Sequence, residues 1–116
     1  MTEKETPFAC DMTAIAPEER GTHIAMIEKL FGLVQSTREL PNGYAFEIPN
    51  ESDVLFTASR FIVNERLCCP FFDFALEIER EGGPMWLCLK GRDGVKPFIM
   101  AEVGEYLPVN AHINTP

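Results

Sequence analysis

The sequence predicts an α+β fold of two layers, an antiparallel sheet built from two β-hairpins with helices packed on one face. Three observations predict it. Two stretches of alternating apolar residues are each broken by a turn signal rich in Gly, Pro or Asn. Segments with apolar residues at helical spacing lie before, between and after them. The resulting order is helix, hairpin, helix, hairpin, helix, with no 20-residue structureless gap.

Residues 1–7 read as a tail, and residues 8–12 as an extended lead-in or an edge strand. Pro17 suits the first turn of a helix, and Glu18 and Glu19 sit well against its dipole. Ile24, Ile27, Leu30, Phe31 and Val34 then recur at helical spacing, so a helix is expected over about residues 17–34. Pro41-Asn42-Gly43 separates residues 37–40 from 44–48, where Tyr44, Phe46 and Ile48 alternate with Ala45 and Glu47; this is the first hairpin. Residues 49–53 form a cap-rich lead into a second helix, whose apolar side carries Val54, Leu55, Ala58, Phe61 and Ile62. Pro70 should stop that helix, because the residue before a proline avoids the α region. Phe74, Leu76 and Ile78 form one strand of the second hairpin and Met85, Leu87 and Leu89 the other, joined through Glu81-Gly82-Gly83-Pro84. A last helix runs from Gly94 to about Tyr106, with Val95, Phe98 and Ile99 facing inward. Residues 108–116 read as a second tail, so one domain ordered over about residues 8–107 is expected from 116 residues.

Composition narrows the function classes. The chain carries a net charge of −8 and no stripe of Lys and Arg, which argues against free nucleic acid as a partner. No run approaches the ~18 apolar residues of a membrane span. The polar, acid-bearing N-terminus is not a secretory signal, so a cytoplasmic protein with reduced cysteines is expected.

Four cysteines are present: Cys10, Cys68, Cys69 and Cys88. Their spacing fits no zinc finger or ribbon. Adjacent cysteines rarely bond to each other, since the ring strains the peptide between them. The stretch E-R-L-C-C-P-F-F places Glu65 three residues before Cys68 and four before Cys69, at the last turn of a helix. Glu65 follows Phe61 and Ile62 on the inward side, where a carboxylate needs a partner. Thiolates suit soft ions such as Cu(I), Hg(II), Zn(II) or a trivalent arsenical. Cys68 and Cys69 are therefore the main candidate metal ligands. Cys10 is the expected third, because its segment can fold over the helix end. Glu65 would stand behind them, orienting a ligand or taking a thiol proton.

Plainer readings stand beside these. Cys68 and Cys69 could be small packing residues, and a helix C-terminus raises a thiol pKa. Glu65 could be a solvated residue paired near Arg66 or Arg60. Cys88 reads as structural, lying between Leu87 and Leu89 on the opposite face of its strand. His23 could be a nitrogen ligand but lies on a different helix with no local partner, so it and His112 read as ordinary surface residues. Phe71, Phe72 and Phe74 read as core rather than as a ligand pocket. No nucleophile elbow, phosphate loop or H-E-x-x-H motif is found.

E-R-L-C-C-P-F-F-D-F-A-L, followed by G-G-P-M-W-L-C-L-K-G-R-D-G-V-K-P-F-I, resembles a group of small, largely uncharacterised bacterial proteins. They share an E-x-x-C-C-P-F core, a strand ending in glycine and a closing helix. The segment is also similar to the C-terminal extension of some MerR-type heavy-metal-responsive regulators. The resemblance spans about residues 9–103, and its motif lands on Glu65, Cys68, Cys69 and Pro70, with A-C-D placing Cys10. It implies sensing or buffering of a soft metal. Without a winged-helix head, the chain is not expected to be a repressor or activator by itself.

Three functions follow. The favoured one is a soft-metal or metalloid thiolate-binding protein acting as buffer, carrier or sensor, with a metal ion as its only implied cofactor and no enzymatic activity required. The second is a thiol-dependent redox or transfer enzyme using Cys68 and Cys69. The third is a non-enzymatic homodimeric domain with structural cysteines.

Overall fold

The computed structural model describes residues 6–111. It contains helices α1 (Pro17–Gly32), α2 (Ser52–Cys68) and α3 (Val95–Val103), and strands β1 (Ser36–Leu40), β2 (Gly43–Ile48), β3 (Asp73–Ile78) and β4 (Met85–Lys90). Short 3-10 turns cover Met12–Ala14, Gly104–Tyr106 and Val109–Ala111. The fold is α+β, as the sequence predicts. No helix among the described residues is long and apolar enough to cross a membrane.

Both hairpins form, and they join into one antiparallel sheet in the order β1-β2-β4-β3. The joint is β2 on β4, which sets Ala45 opposite Cys88 and Phe46 opposite Leu87. The backbones come very close at Gly43. A Cβ there would lie 2.0 Å from the Leu89 carbonyl oxygen, so only glycine fits. At the far end of the sheet, Glu81 and Gly82 both take positive φ (61° and 71°), and Gly83 N–H donates to the Arg80 carbonyl at 3.1 Å. That is the primed turn whose twist suits a hairpin.

Period two sorts the strand residues between two faces. On the helical side Phe46, Ile48, Met85, Leu87 and Leu89 join Phe31 of α1, Phe61 of α2 and Ile99 of α3 in the main core. Phe31 meets Phe46 and Phe61 edge-on, with ring centroids 5.2 and 5.5 Å apart. On the other side Ala45, Trp86 and Cys88 form a separate small cluster. The Arg38 guanidinium lies 4.2 Å from the Trp86 ring centroid, and Trp86 Nε1 donates to Glu79 at 3.0 Å. Long charged side chains thus cover a sheet face on which no helix of the described residues packs.

Several expectations need correction. Of the two readings of residues 8–12, the lead-in holds and the edge strand does not; the segment enters the first 3-10 turn at Met12. The stretch at 108–111 is not a tail, because Val109–Ala111 is helical, Ala111 is buried and Thr37 Oγ1 donates to the Ala111 carbonyl at 2.6 Å. Residues 1–5 and 112–116, including His112, lie outside the described residues. The cap-rich lead into α2 makes no side-chain cap at Glu51; instead Asn50 Nδ2 donates to the Gly83 carbonyl at 2.7 Å, tying helix start to hairpin turn. On α1 the stripe holds from Ile27 to Val34 as expected, but at its start His23 takes the inward place expected of Ile24. His23, Leu30 and Phe31 are buried, while Ile24 is 47 % exposed.

Candidate metal centre

The site is assembled at the C-terminal end of α2. The buried residues of that helix follow a regular stripe of Val54, Ala58, Phe61, Glu65 and Cys68, which is a 3.6-residue period continued past the last hydrocarbon side chain. Cys69 N–H still reaches the Glu65 carbonyl at 2.7 Å, and Pro70 then ends the helix. Both cysteines are buried free thiols, and so the site sits at the rim of the core.

Cys10 arrives from the N-terminal segment. Asp11 N–H donates to the Cys68 carbonyl at 2.9 Å, satisfying a carbonyl that the ended helix leaves without an intrahelical partner. Phe8 anchors the segment against Phe71, with ring centroids 5.1 Å apart, and the Arg92 guanidinium covers the same ring. The chain turns at once after Cys10 because the Asp11 carboxylate caps the next 3-10 turn, accepting from Thr13 N–H at 3.0 Å.

These anchors place Cys10 Sγ 2.8 Å from Cys69 Sγ, and Cys69 Sγ 3.7 Å from Cys68 Sγ. All three sulfurs lie within 4.8 Å of one another, so the cluster of cysteines could hold a metal. Metal–sulfur bonds near ~2.3 Å put sulfurs about 4 Å apart around a shared ion, a spacing this trio reaches with small side-chain adjustments.

Carboxylates and an imidazole complete the neighbourhood. Glu65 is buried, not solvated, and it does not pair with Arg66 or Arg60; Arg60 binds Glu19 of α1 at 2.9 Å instead. Glu65 Oε1 accepts from Cys68 Sγ at 3.4 Å and faces His23 Nε2 at 2.8 Å. His23 is therefore no surface residue. It is fully buried, its ring is stacked on Phe61 at 5.8 Å, and its Nδ1 has no hydrogen-bond partner among the described residues. A buried imidazole nitrogen without a partner is costly in a closed fold and useful at a site that takes a ligand. From α3, Glu102 Oε1 accepts from Cys10 Sγ at 3.0 Å. His23, Glu65 and Cys68 form a second group able to hold a metal, and Glu65, Cys69 and Glu102 a third.

The electrostatics follow from this crowding. Cys68 is held well below the usual thiol range by hydrogen bonds from Cys10 and Cys69, with His23 helping, while Cys10 and Cys69 are pushed up. The helix-end field expected to disfavour a thiolate is outweighed by these neighbours at contact distance. Burial raises Glu102 to about 7, with the Cys10 hydrogen bond adding to it.

The structure thus brings together Cys10, Cys68, Cys69 and Glu65, and leaves Cys88 apart. Cys88 lies on the opposite sheet face, hydrogen-bonded to Glu77 at 3.3 Å and raised to about 11 chiefly by burial. Phe71 and Phe72 pack with Phe8 and Phe98 and line no cavity at the thiols. Two members of the site escape sequence reasoning. His23 could have been found, since it continues the stripe of Ile27, Leu30, Phe31 and Val34 by one turn. Glu102 could not, because nothing local to the last helix points toward a cysteine 92 residues away. No known family, no curated protein and no solved structure matches the chain.

Proposed function

We propose that this protein binds a soft metal or metalloid ion through Cys10, Cys68 and Cys69, as a buffer, carrier or sensor. The observation that carries the reading is the convergence of three thiols on one spot when one of them comes from 59 residues away. Packing alone would not need three sulfurs in mutual contact, since any small hydrophobe fills such space. A thiolate already favoured at Cys68 supplies the first bond without a deprotonation cost, and Glu65 and Glu102 can take the protons of the others. The resemblance of the E-x-x-C-C-P-F segment to metal-responsive regulators agrees with this reading. The test is titration with Hg(II) or Cu(I) under reducing conditions against a competing small thiol. One ion per site should bind, with affinity falling at least tenfold in Cys68→Ser and in Cys69→Ser and unchanged in Cys88→Ser. Equal binding by wild type and the double variant Cys68→Ser, Cys69→Ser would reject the proposal.

The low thiol pKa at Cys68, with Cys10 and Cys69 close by, favours a second reading, a thiol enzyme in which Cys68 attacks and a neighbour resolves the intermediate. It requires Cys68 to be alkylated by small electrophiles at a rate independent of pH through neutrality. An alkylation rate that climbs to an ordinary thiol pKa of ~8.5 counts against it.

A further inference from the structure

A cavity of about 390 Å³ opens directly onto the thiols. That volume falls among sites for small organic ligands, roughly 300–1,000 Å³, and is far more than a bare ion needs. Its lining includes Cys10, Cys68, Glu65 and Glu102. Its walls include Ile24, Ile27 and Tyr106, with Ala101 beside them. Ile24 is half exposed and gives the cavity an apolar wall. Cys69 is not part of the lining. A ligand in the cavity therefore meets two thiols, and each has its own carboxylate: Glu102 at 3.0 Å from Cys10 and Glu65 at 3.4 Å from Cys68.

We infer that the cavity takes a trivalent arsenical carrying one apolar organic group, held by Cys10 and Cys68 with the organic group against Ile24, Ile27 and Tyr106. This rests on the thiolate-binding reading above and specifies its ligand. The valence fits the lining. An organoarsenic(III) centre has two exchangeable positions and there are two lining thiols, whereas an inorganic trivalent ion would call on the third sulfur, and an organomercurial cation offers only one position. In the binding step two As–O bonds of the dihydroxyarsine break and two As–S bonds form. The Cys10 proton, relayed by Glu102, and one proton from solvent leave with the two hydroxides as two waters, the Cys68 thiolate bonding directly, and arsenic stays trivalent throughout.

The experiment compares phenylarsine oxide, which hydrates to the phenyl dihydroxyarsine, with arsenite, by titration of the reduced full chain. Ala101 is exposed, so Ala101→Phe can fill the cavity without disturbing the core. It should weaken phenylarsine binding at least tenfold and leave arsenite unchanged. Cys69→Ser should do the converse, sparing the phenyl compound and weakening arsenite at least tenfold. If Ala101→Phe leaves the phenyl compound unaffected, or Cys69→Ser weakens both ligands alike, the inference is overturned while thiolate binding of an inorganic ion stands. If the wild type binds neither compound and no Hg(II), both readings fall together.

Discussion

His23 Nε2 lies 2.8 Å from Glu65 Oε1, and both side chains are buried where α1 packs on α2. The pair joins two helices beneath the thiols and sets where Glu65 can point. Its consequences are measurable in the apo protein.

Removing one partner leaves the other buried alone. His23→Ala should therefore cost about 3–5 kcal/mol of stability in urea unfolding. His23→Phe combined with Glu65→Leu removes both charges and should recover most of that loss. A cost for His23→Ala below about 1 kcal/mol, the range of an exposed pair, would show that the two side chains do not act as a buried pair.

The same pair predicts how the ring titrates. Burial alone would lower the His23 pKa; hydrogen bonds to Cys68 and Glu65, with their charges, outweigh it and raise the pKa to about 9. Because the folded value exceeds the unfolded one of ~6.5, this part of the stability is fully present below about pH 6.5 and is lost as pH rises through about 9. In the reduced, metal-free protein, NMR should show the ring still protonated near neutrality. In Glu65→Gln the pKa should fall, since burial remains and an opposing carboxylate does not.

Oxidation should select one sulfur pair. Cys10 Sγ and Cys69 Sγ stand 2.8 Å apart, whereas Cys68 and Cys69 are neighbours in sequence and their ring is strained. Exchange with oxidised glutathione should join Cys10 to Cys69, releasing two reduced glutathiones, and peptide mapping should find that bridge before any other. Soft-ion affinity should drop with it and return on reduction. A bridge formed first between Cys68 and Cys69 would contradict the geometry.

Cys88 should stay silent throughout. It is 2 % exposed and its thiol is raised to about 11, so iodoacetamide at about pH 8 should label Cys10 and leave Cys88 untouched until the chain unfolds.

The close backbone approach at Gly43 gives a structural control at a residue that does not line the thiol cavity. Gly43→Ala would set a Cβ 2.0 Å from the Leu89 carbonyl oxygen and 2.7 Å from Lys90 Cα. The joint between the two hairpins must shift, at a cost of about 3 kcal/mol, toward the upper end for single substitutions. Thermal denaturation reads it directly, and thiol labelling of Cys10 at low temperature should be unchanged.

What the sequence determined by itself is local. Alternation and turn chemistry placed both hairpins, because side-chain period and glycine tolerance act over a few residues. Helical spacing and Pro70 placed Glu65, Cys68 and Cys69 together, because a helix fixes the relation of residues three and four apart. The tertiary structure decided everything that depends on which helix faces which. The packing of the N-terminal half of α1 buried His23 and left Ile24 for the cavity wall. The arrival of α3 put Glu102 beside Cys10. The Asp11–Cys68 backbone hydrogen bond turned a flexible lead-in into the third side of the thiol cluster. These contacts join residues 42 to 92 positions apart, and such pairings are set by the packing of whole faces, which no short window of sequence records.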